Sequence, residues 1–334
     1  MRKFKYIFFF LLLIISGAEL IAQTPYSSQN FTLTNFFNPA TVGYSVNSQF
    51  KSFYRTQYAN IADPYNSFGM SMDFGLFKKS TEGNNYVGMG IEGLSERVLN
   101  GALQTNTISL SIADRLFLNL KKTNYISMGL GASMITRTLD VQQLSFGDQF
   151  YSGRLFNGTL EAIANYPVKY ASKVGVIYTS HGERNYLQFG GSLFYINRTA
   201  NELENTNGLR YYQLMGQLNM EHQFLEDKTF LVHADYQNRF ESEFFYFGGA
   251  IGLPIYNKNA YENRFYLGCF YRTKDALIPY VGFMYDRYRM GLSYDIYNNN
   301  LTKSNLHPQT IELNFSMPLG KRPSDLVLYS LFNN

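Results

Sequence analysis

The sequence predicts an all-β protein: a closed, antiparallel transmembrane β-barrel of about fourteen strands with both termini in the periplasm. Three observations predict it. Apolar and polar residues alternate with a two-residue period in segment after segment, as a strand with two different faces requires. The alternating segments are long, most of them about 10–15 residues, which suits a tilted membrane strand better than a soluble one. The chain also opens with an export-type leader.

The leader is the first element. Arg2, Lys3 and Lys5 form a basic start, Tyr6 to Ile15 is apolar, and small residues follow at Ser16, Gly17 and Ala18. That apolar run falls within the usual signal-peptide range and short of the roughly 20 residues a spanning helix needs. Cleavage is expected after Ala22, although Leu20 is bulky for the position two residues earlier. The expected organisation is a signal peptide over 1–22, a periplasmic lead-in over 23–47, the barrel over 48–318 and a tail over 319–334.

The strands follow in order. They are expected at 48–58, 66–77, 86–97, 104–117, 124–138, 168–179, 185–198, 210–224, 229–240, 243–254, 263–273, 276–286, 288–297 and 309–318. The second shows the pattern most plainly. Phe68, Met70, Met72, Phe74 and Leu76 point one way, and Ser67, Gly69, Ser71, Asp73 and Gly75 the other. Near the end, Met290, Leu292, Tyr294 and Ile296 alternate with Arg289, Gly291, Ser293 and Asp295, and Ile311, Leu313, Phe315 and Met317 with Glu312, Asn314 and Ser316. The apolar face would meet lipid and the polar face the lumen. Asp73, Glu92, Asp235, Arg289, Asp295 and Glu312 all fall on the polar face, where they avoid the cost of a charge in hydrocarbon. Connections near 78–85, 119–123, 180–184, 225–228, 255–262 and 286–287 are short and are assigned to the periplasm; those at 139–167, 199–209 and 298–308 are longer and are assigned outside.

Composition agrees and excludes several function classes. The chain has 28 Tyr, 29 Phe and no Trp, and only 16% of its residues are charged, against about 25% in ordinary domains. The net charge of +4 falls to about +2 without the leader, too little to indicate a nucleic-acid partner. One cysteine, Cys269, rules out an internal disulfide framework and falls on an apolar strand face. Gly88, Gly90 and Gly93 spell G-x-G-x-x-G inside an alternating strand, whereas a dinucleotide site needs a strand-to-helix turn; close backbone approach is the better reading. His181, His222, His233 and His307 are scattered and no metal-ligand spacing is present; His233 and Asp235 share one face and could touch. No cofactor, metal or catalytic set is predicted. A soluble β-sandwich or lipocalin-like fold also alternates, but strand length, leader and low charge weigh against it.

Two segments are candidate working parts. Phe36, Phe37, Asn38, Pro39 and Gly43 lie just before the first strand, where Pro and Gly set a bend, and residues 30–43 are candidates to plug or brace the periplasmic mouth. A plain strand lead-in is the alternative. Phe146, Phe150, Tyr151 and Phe156 sit among polar residues in the 139–167 loop, a composition suited to partner binding or to a loop packed on itself.

The chain also resembles a known family. The resemblance rests on Gln23, Ser28-Gln29-Asn30-Phe31, Asn38-Pro39-Ala40-Thr41-Val42-Gly43, Tyr54-Arg55-Thr56-Gln57-Tyr58, Pro64-Tyr65 and Ser71-Met72-Asp73. It continues in Met290-Gly291-Leu292-Ser293-Tyr294-Asp295, Leu301 and Thr310-Ile311-Glu312-Leu313. In this order and spacing they resemble the PorP/SprF family of the Bacteroidetes type IX secretion system. Tyr58 stands where that family often has Trp, and Gln309-Thr310 where a Gly/His pair is expected, which implies a divergent paralogue. The resemblance implies a non-enzymatic outer-membrane barrel without catalytic residues or cofactor. Its implied partners are other type IX components and a secreted cargo with a C-terminal sorting domain, an adhesin exported or anchored with the barrel's help. A diffusion channel or small-ligand transporter is the alternative, and an outer-membrane enzyme a distant third.

Overall fold

The computed structural model describes residues 27–43, 48–60, 63–76, 85–144, 167–196, 212–224, 228–239, 242–255, 263–298 and 307–319. The expected leader, most of the 139–167 loop with Phe146, Phe150, Tyr151 and Phe156, and the tail beyond 319 lie outside the described residues. Among the described residues no helix is long and apolar enough to cross a membrane.

Fourteen strands form one closed antiparallel barrel. They are β1 (Ser48–Gln57), β2 (Tyr65–Gly75), β3 (Asn85–Val98), β4 (Leu103–Phe117), β5 (Asn124–Leu139), β6 (Lys169–His181) and β7 (Asn185–Phe194). The ring continues with β8 (Gln213–Gln223), β9 (Thr229–Arg239), β10 (Ser242–Ile255), β11 (Asn263–Arg272), β12 (Ala276–Tyr285), β13 (Tyr288–Tyr297) and β14 (Thr310–Leu319). Each strand pairs with its sequence neighbours, and β1 pairs with β14 to close the ring, Arg55 standing opposite Glu312. Closure is what the membrane demands, because in hydrocarbon an open edge would leave a row of N–H and C=O groups without partners.

All fourteen expected strands are present, with ends shifted by a few residues. The largest shift ends β7 at Phe194 rather than 198. Tyr195 takes φ 58°, a left-handed conformation that turns the chain out of the ladder. Connections after odd-numbered strands lie at one end of the barrel, here the loop end, and those after even-numbered strands at the other. The start of β1 and the finish of β14 share this second, terminal end. The long connections 140–168 and 195–212 are both at the loop end.

The two faces divide as the alternation requires. Along β12 and β13 buried and exposed residues alternate without a break. Leu292 and Leu313, paired across β13 and β14, are 49% and 52% exposed on the outside, while Ser293 and Glu312, the next pair, are buried inside. The six charged residues assigned to the polar face, from Asp73 to Glu312, are all buried in the lumen. Cys269 is exposed on the outer face of β11.

Residue 292 sits at the middle of β13, so Leu292→Arg would place a charge in mid-membrane. It is expected to cost about 2–4 kcal/mol, read as a lowered urea midpoint for unfolding from lipid vesicles; Ser293→Ala, on the inner face of the same strand, is the control.

Candidate functional site: a strap through the lumen

Residues 27–43 run through the inside of the barrel. Most are buried, and the segment carries no charged side chain. It enters description at Ser27, beside Glu312 near the loop end of β14, and finishes at Gly43, beside Phe74 and Gly88 at the terminal end. Residues 30–43, expected either to plug or brace the periplasmic mouth or to be a plain lead-in, are part of a segment that extends through the lumen from β14 to β2 and β3.

Local chemistry shapes the strap. A short helix α1 (Thr34–Phe37) ends at Asn38, whose extended backbone stops the helical turn. The Asn38 side chain accepts from Ala40 N–H at 2.9 Å and so opens the 3₁₀ turn Pro39–Thr41, with Pro in the first helical position where no N–H is needed. Asn38 Nδ2 also donates to the Gly191 carbonyl at 3.1 Å, tying the turn to the wall. Thr41 Oγ donates to the Asn38 carbonyl at 2.7 Å.

Lumen carboxylates hold the strap at three places. At the first, Glu312 accepts from Ser27 Oγ at 2.6 Å, from Ser28 N–H at 2.6 Å and from Gln29 N–H at 3.1 Å. Ser28 Oγ donates to Asp295 at 2.6 Å, and the guanidinium of Arg55 also reaches that hydroxyl. Arg55 pairs with Asp295 at 2.9 Å and Glu312 at 3.2 Å, and Arg272 reaches Asp295 at 2.8 Å. At the second, Asn30 Nδ2 donates to Asp235 at 2.9 Å, and His233 lies 3.0 Å from the same carboxylate and 2.5 Å from Asn219 Oδ1. At the third, Asp73 accepts from Asn35 Nδ2 at 2.8 Å and from Gly43 N–H at 3.1 Å. Neutral donors thus meet buried acids, which keeps those carboxylates hydrogen-bonded without adding another charge.

Packing completes the fit. A Cβ at Gly129 would stand 2.4 Å from the Ala40 nitrogen and the Pro39 carbonyl carbon, and one at Gly88 would stand 2.3 Å from the Val42 carbonyl oxygen. Only glycine lets the strap lie this close to β3 and β5. Phe31 stacks on Phe270 with ring centres 4.8 Å apart and meets Tyr280 edge-on at 5.2 Å, and Tyr246 donates to the Ser28 carbonyl at 2.6 Å. These rings, with Tyr186, Tyr266 and Ile278, fill the lumen beside the strap.

The structure places the candidates as follows. Asn38, Pro39 and Gly43 are buried against the wall; Phe36 is half-buried with its ring edge-on to Phe53 at 5.8 Å; the Phe37 carbonyl accepts from Ser192 at 2.6 Å. The aromatic loop candidates lie outside the described residues. The candidate segment 30–43 left out Ser27, Ser28 and Gln29, and Arg55, Asp295 and Glu312 were not singled out as their receptor. The signal was there in part: Ser28, Asn38 to Gly43, Arg55, Asp73, Asp295 and Glu312 all lie in the segments that carry the family resemblance, and two groups of them meet in space, Ser28 with Arg55, Asp295 and Glu312, and Gly43 with Asp73. G-x-G-x-x-G likewise turns out to be a seat, with Gly88 and Gly90 against Val42 and Gly43.

Arg55→Met would leave Asp295 and Glu312 buried with a cation removed. The expected loss is about 3–5 kcal/mol of folding stability in vesicles, with faster proteolysis of the strap.

The chain matches the family described as "Type IX secretion system membrane protein PorP/SprF" over residues 20–320. No curated protein sequence matches it. Among solved structures it is similar to CdiB from Acinetobacter baumannii, at 9% identity and TM-score 0.47 over 82% of this chain and 60% of that one. It is also similar to the CymD monoaromatic hydrocarbon channel, at 9% identity and TM-score 0.46 over 90% and 95% of the two chains. The P. putida toluene transporter TodX follows at 10% identity and TM-score 0.42, over 85% and 93%. The chain therefore spans 60% of the length of CdiB. These likenesses concern barrel shape and say nothing of function. The family match covers nearly the whole chain, strap and receptor included, and the chain belongs to the PorP/SprF family of type IX secretion system membrane proteins.

Proposed function

We propose that this barrel is a plugged, non-catalytic accessory of type IX secretion, assisting the export or surface anchoring of a partner secreted protein that carries a C-terminal sorting domain. Family membership supports the secretion role. The strap carries the rest: residues 27–43 and the aromatic cluster occupy the space a diffusion pathway would need. In this orientation the terminal end is periplasmic and the loop end external, since bacterial barrels keep short turns inside and long loops outside. The long external connections, with Phe146, Phe150, Tyr151 and Phe156, are then the surface offered to the partner, a large adhesin of the cell surface. The strap works as a brace that keeps the lumen shut while the outer rim engages cargo.

The competing reading is a diffusion channel or small-ligand transporter, because the lumen is rich in both signs of charge. The two readings differ in conductance. Purified protein in planar bilayers is expected to be silent, whereas Gly129→Leu, which displaces Pro39 and Ala40, or removal of 27–43, is expected to conduct. Steady conductance by the wild type would overturn the plugged reading.

The partner role has its own test. Extraction of outer membranes in mild detergent followed by mass spectrometry is expected to recover one large secreted protein with a sorting domain. Deleting the barrel is expected to abolish that protein's surface display; normal display would refute the role.

A further inference from the structure

The outer wall of β4 to β8 carries a groove of about 740 Å³. Two rows of outward side chains bound it. Ile112, Leu130, Val174, Leu193 and Leu214 are consecutive partners across β4, β5, β6, β7 and β8. Asp114, Met128, Val176 and Gly191 are consecutive partners across β4 to β7. Between them lie Ala113, Gly129, Gly175 and Ser192, whose side-chain positions face the lumen, so the floor of the groove is backbone. Gly191 leaves the second row one side chain short.

Asp114 breaks the rule that governs the rest of this face. It points outward from β4 between Ile112 and Leu116, which are 47% and 49% exposed. Its outward neighbours on the adjoining strands are Val87 and Met128, also apolar. Among the described residues the other outward strand charges, such as Arg97 and Glu243, stand next to a strand end at the loop rim, whereas Asp114 lies inside the apolar band with Leu116 beyond it. It lies three residues before the terminal end of β4, on the side where a membrane strand leaves the hydrocarbon.

We propose that this groove is a lipid site: it seats one acyl chain of a phospholipid whose primary ammonium head group is held by the Asp114 carboxylate. Charge complementarity selects the occupant. An anion facing hydrocarbon needs a cation or a donor, and the lipid itself is the group that reaches this face of a membrane barrel. A primary ammonium offers three N–H donors to the carboxylate, a quaternary ammonium offers none, and a glycerol head group brings no positive charge. With the terminal end periplasmic, as proposed above, the lipid belongs to the inner leaflet; the site itself rests only on the outer-membrane barrel.

The test is lipid retention by the full chain. Wild type, Asp114→Asn and Val176→Phe are reconstituted into equimolar dioleoyl phosphatidylethanolamine, phosphatidylcholine and phosphatidylglycerol, re-extracted in mild detergent and examined by native mass spectrometry, with heat-modifiable mobility confirming the folded barrel. Wild type is expected to retain phosphatidylethanolamine about fivefold over the other two, which corresponds to about 1 kcal/mol. Asp114→Asn is expected to lose that preference while still retaining lipid, and Val176→Phe, which fills the groove, to lose retention. Equal retention of the three lipids by wild type would overturn the proposal, as would an unchanged preference in Asp114→Asn. A photocrosslinker at residue 128 that captures protein rather than lipid in cells would also overturn it, assigning the groove to a subunit interface. Each outcome is independent of partner display and of conductance, so failure here leaves the secretion reading standing.

Discussion

The buried guanidinium of Arg55 holds the structure together at the place where it is hardest to close. It springs from the first strand and bonds carboxylates from the last two, Asp295 and Glu312, so it spans the seam that turns a sheet into a barrel. The same two carboxylates grip Ser27, Ser28 and Gln29 of the strap. Seam and strap therefore share one set of charges. A buried ion pair is weak evidence for stability, because desolvation offsets much of the attraction. Here it links two events: the Ser27–Gln29 end of the strap finds its acceptors where the seam has brought β1, β13 and β14 together.

A second constraint follows from the burial of charge in the lumen. Acids at Asp73, Asp235, Asp295 and Glu312 are 7% exposed or less, so each needs donors from protein. Lysines and arginines supply some, as Lys173 does for Glu92 at 2.6 Å. Wall residues such as Gln237 add others, and the strap contributes backbone N–H, serine hydroxyls and asparagine amides. A neutral strap can serve acids in different parts of the lumen without repelling the cations already there, which a charged one could not. Glycines in the wall make this possible by removing the side chains that would hold the strap away.

The outer face obeys the opposite rule and is almost uniformly apolar, so the outward acid Asp114 gains meaning from its setting. One strand, β4, carries Arg115 inward and Asp114 outward, and this adjacency shows how finely the two-residue period assigns each side chain to lumen or lipid. In a type IX secretion membrane barrel this gives a lumen of buried, hydrogen-bonded acids and an apolar outer wall.

Much of the fold could be read from the chain alone. Period and length gave every strand, because in a membrane barrel the demand on each face is set by lipid or lumen and does not depend on which strand lies next door. Glycine at 88 and 90 could be read as a close approach, though not what approached. The strap could be read as a candidate from Asn38, Pro39 and Gly43, but not its depth. A segment without charge or period carries no signal for where it lies, and Ser28 and Asp295 are 267 residues apart. By itself the sequence determined the alternation, the strand lengths and hence the barrel. Only the tertiary structure decided what fills it, because closing the ring is what brings Arg55, Asp295 and Glu312 within bonding distance of one another and creates the site that the strap occupies.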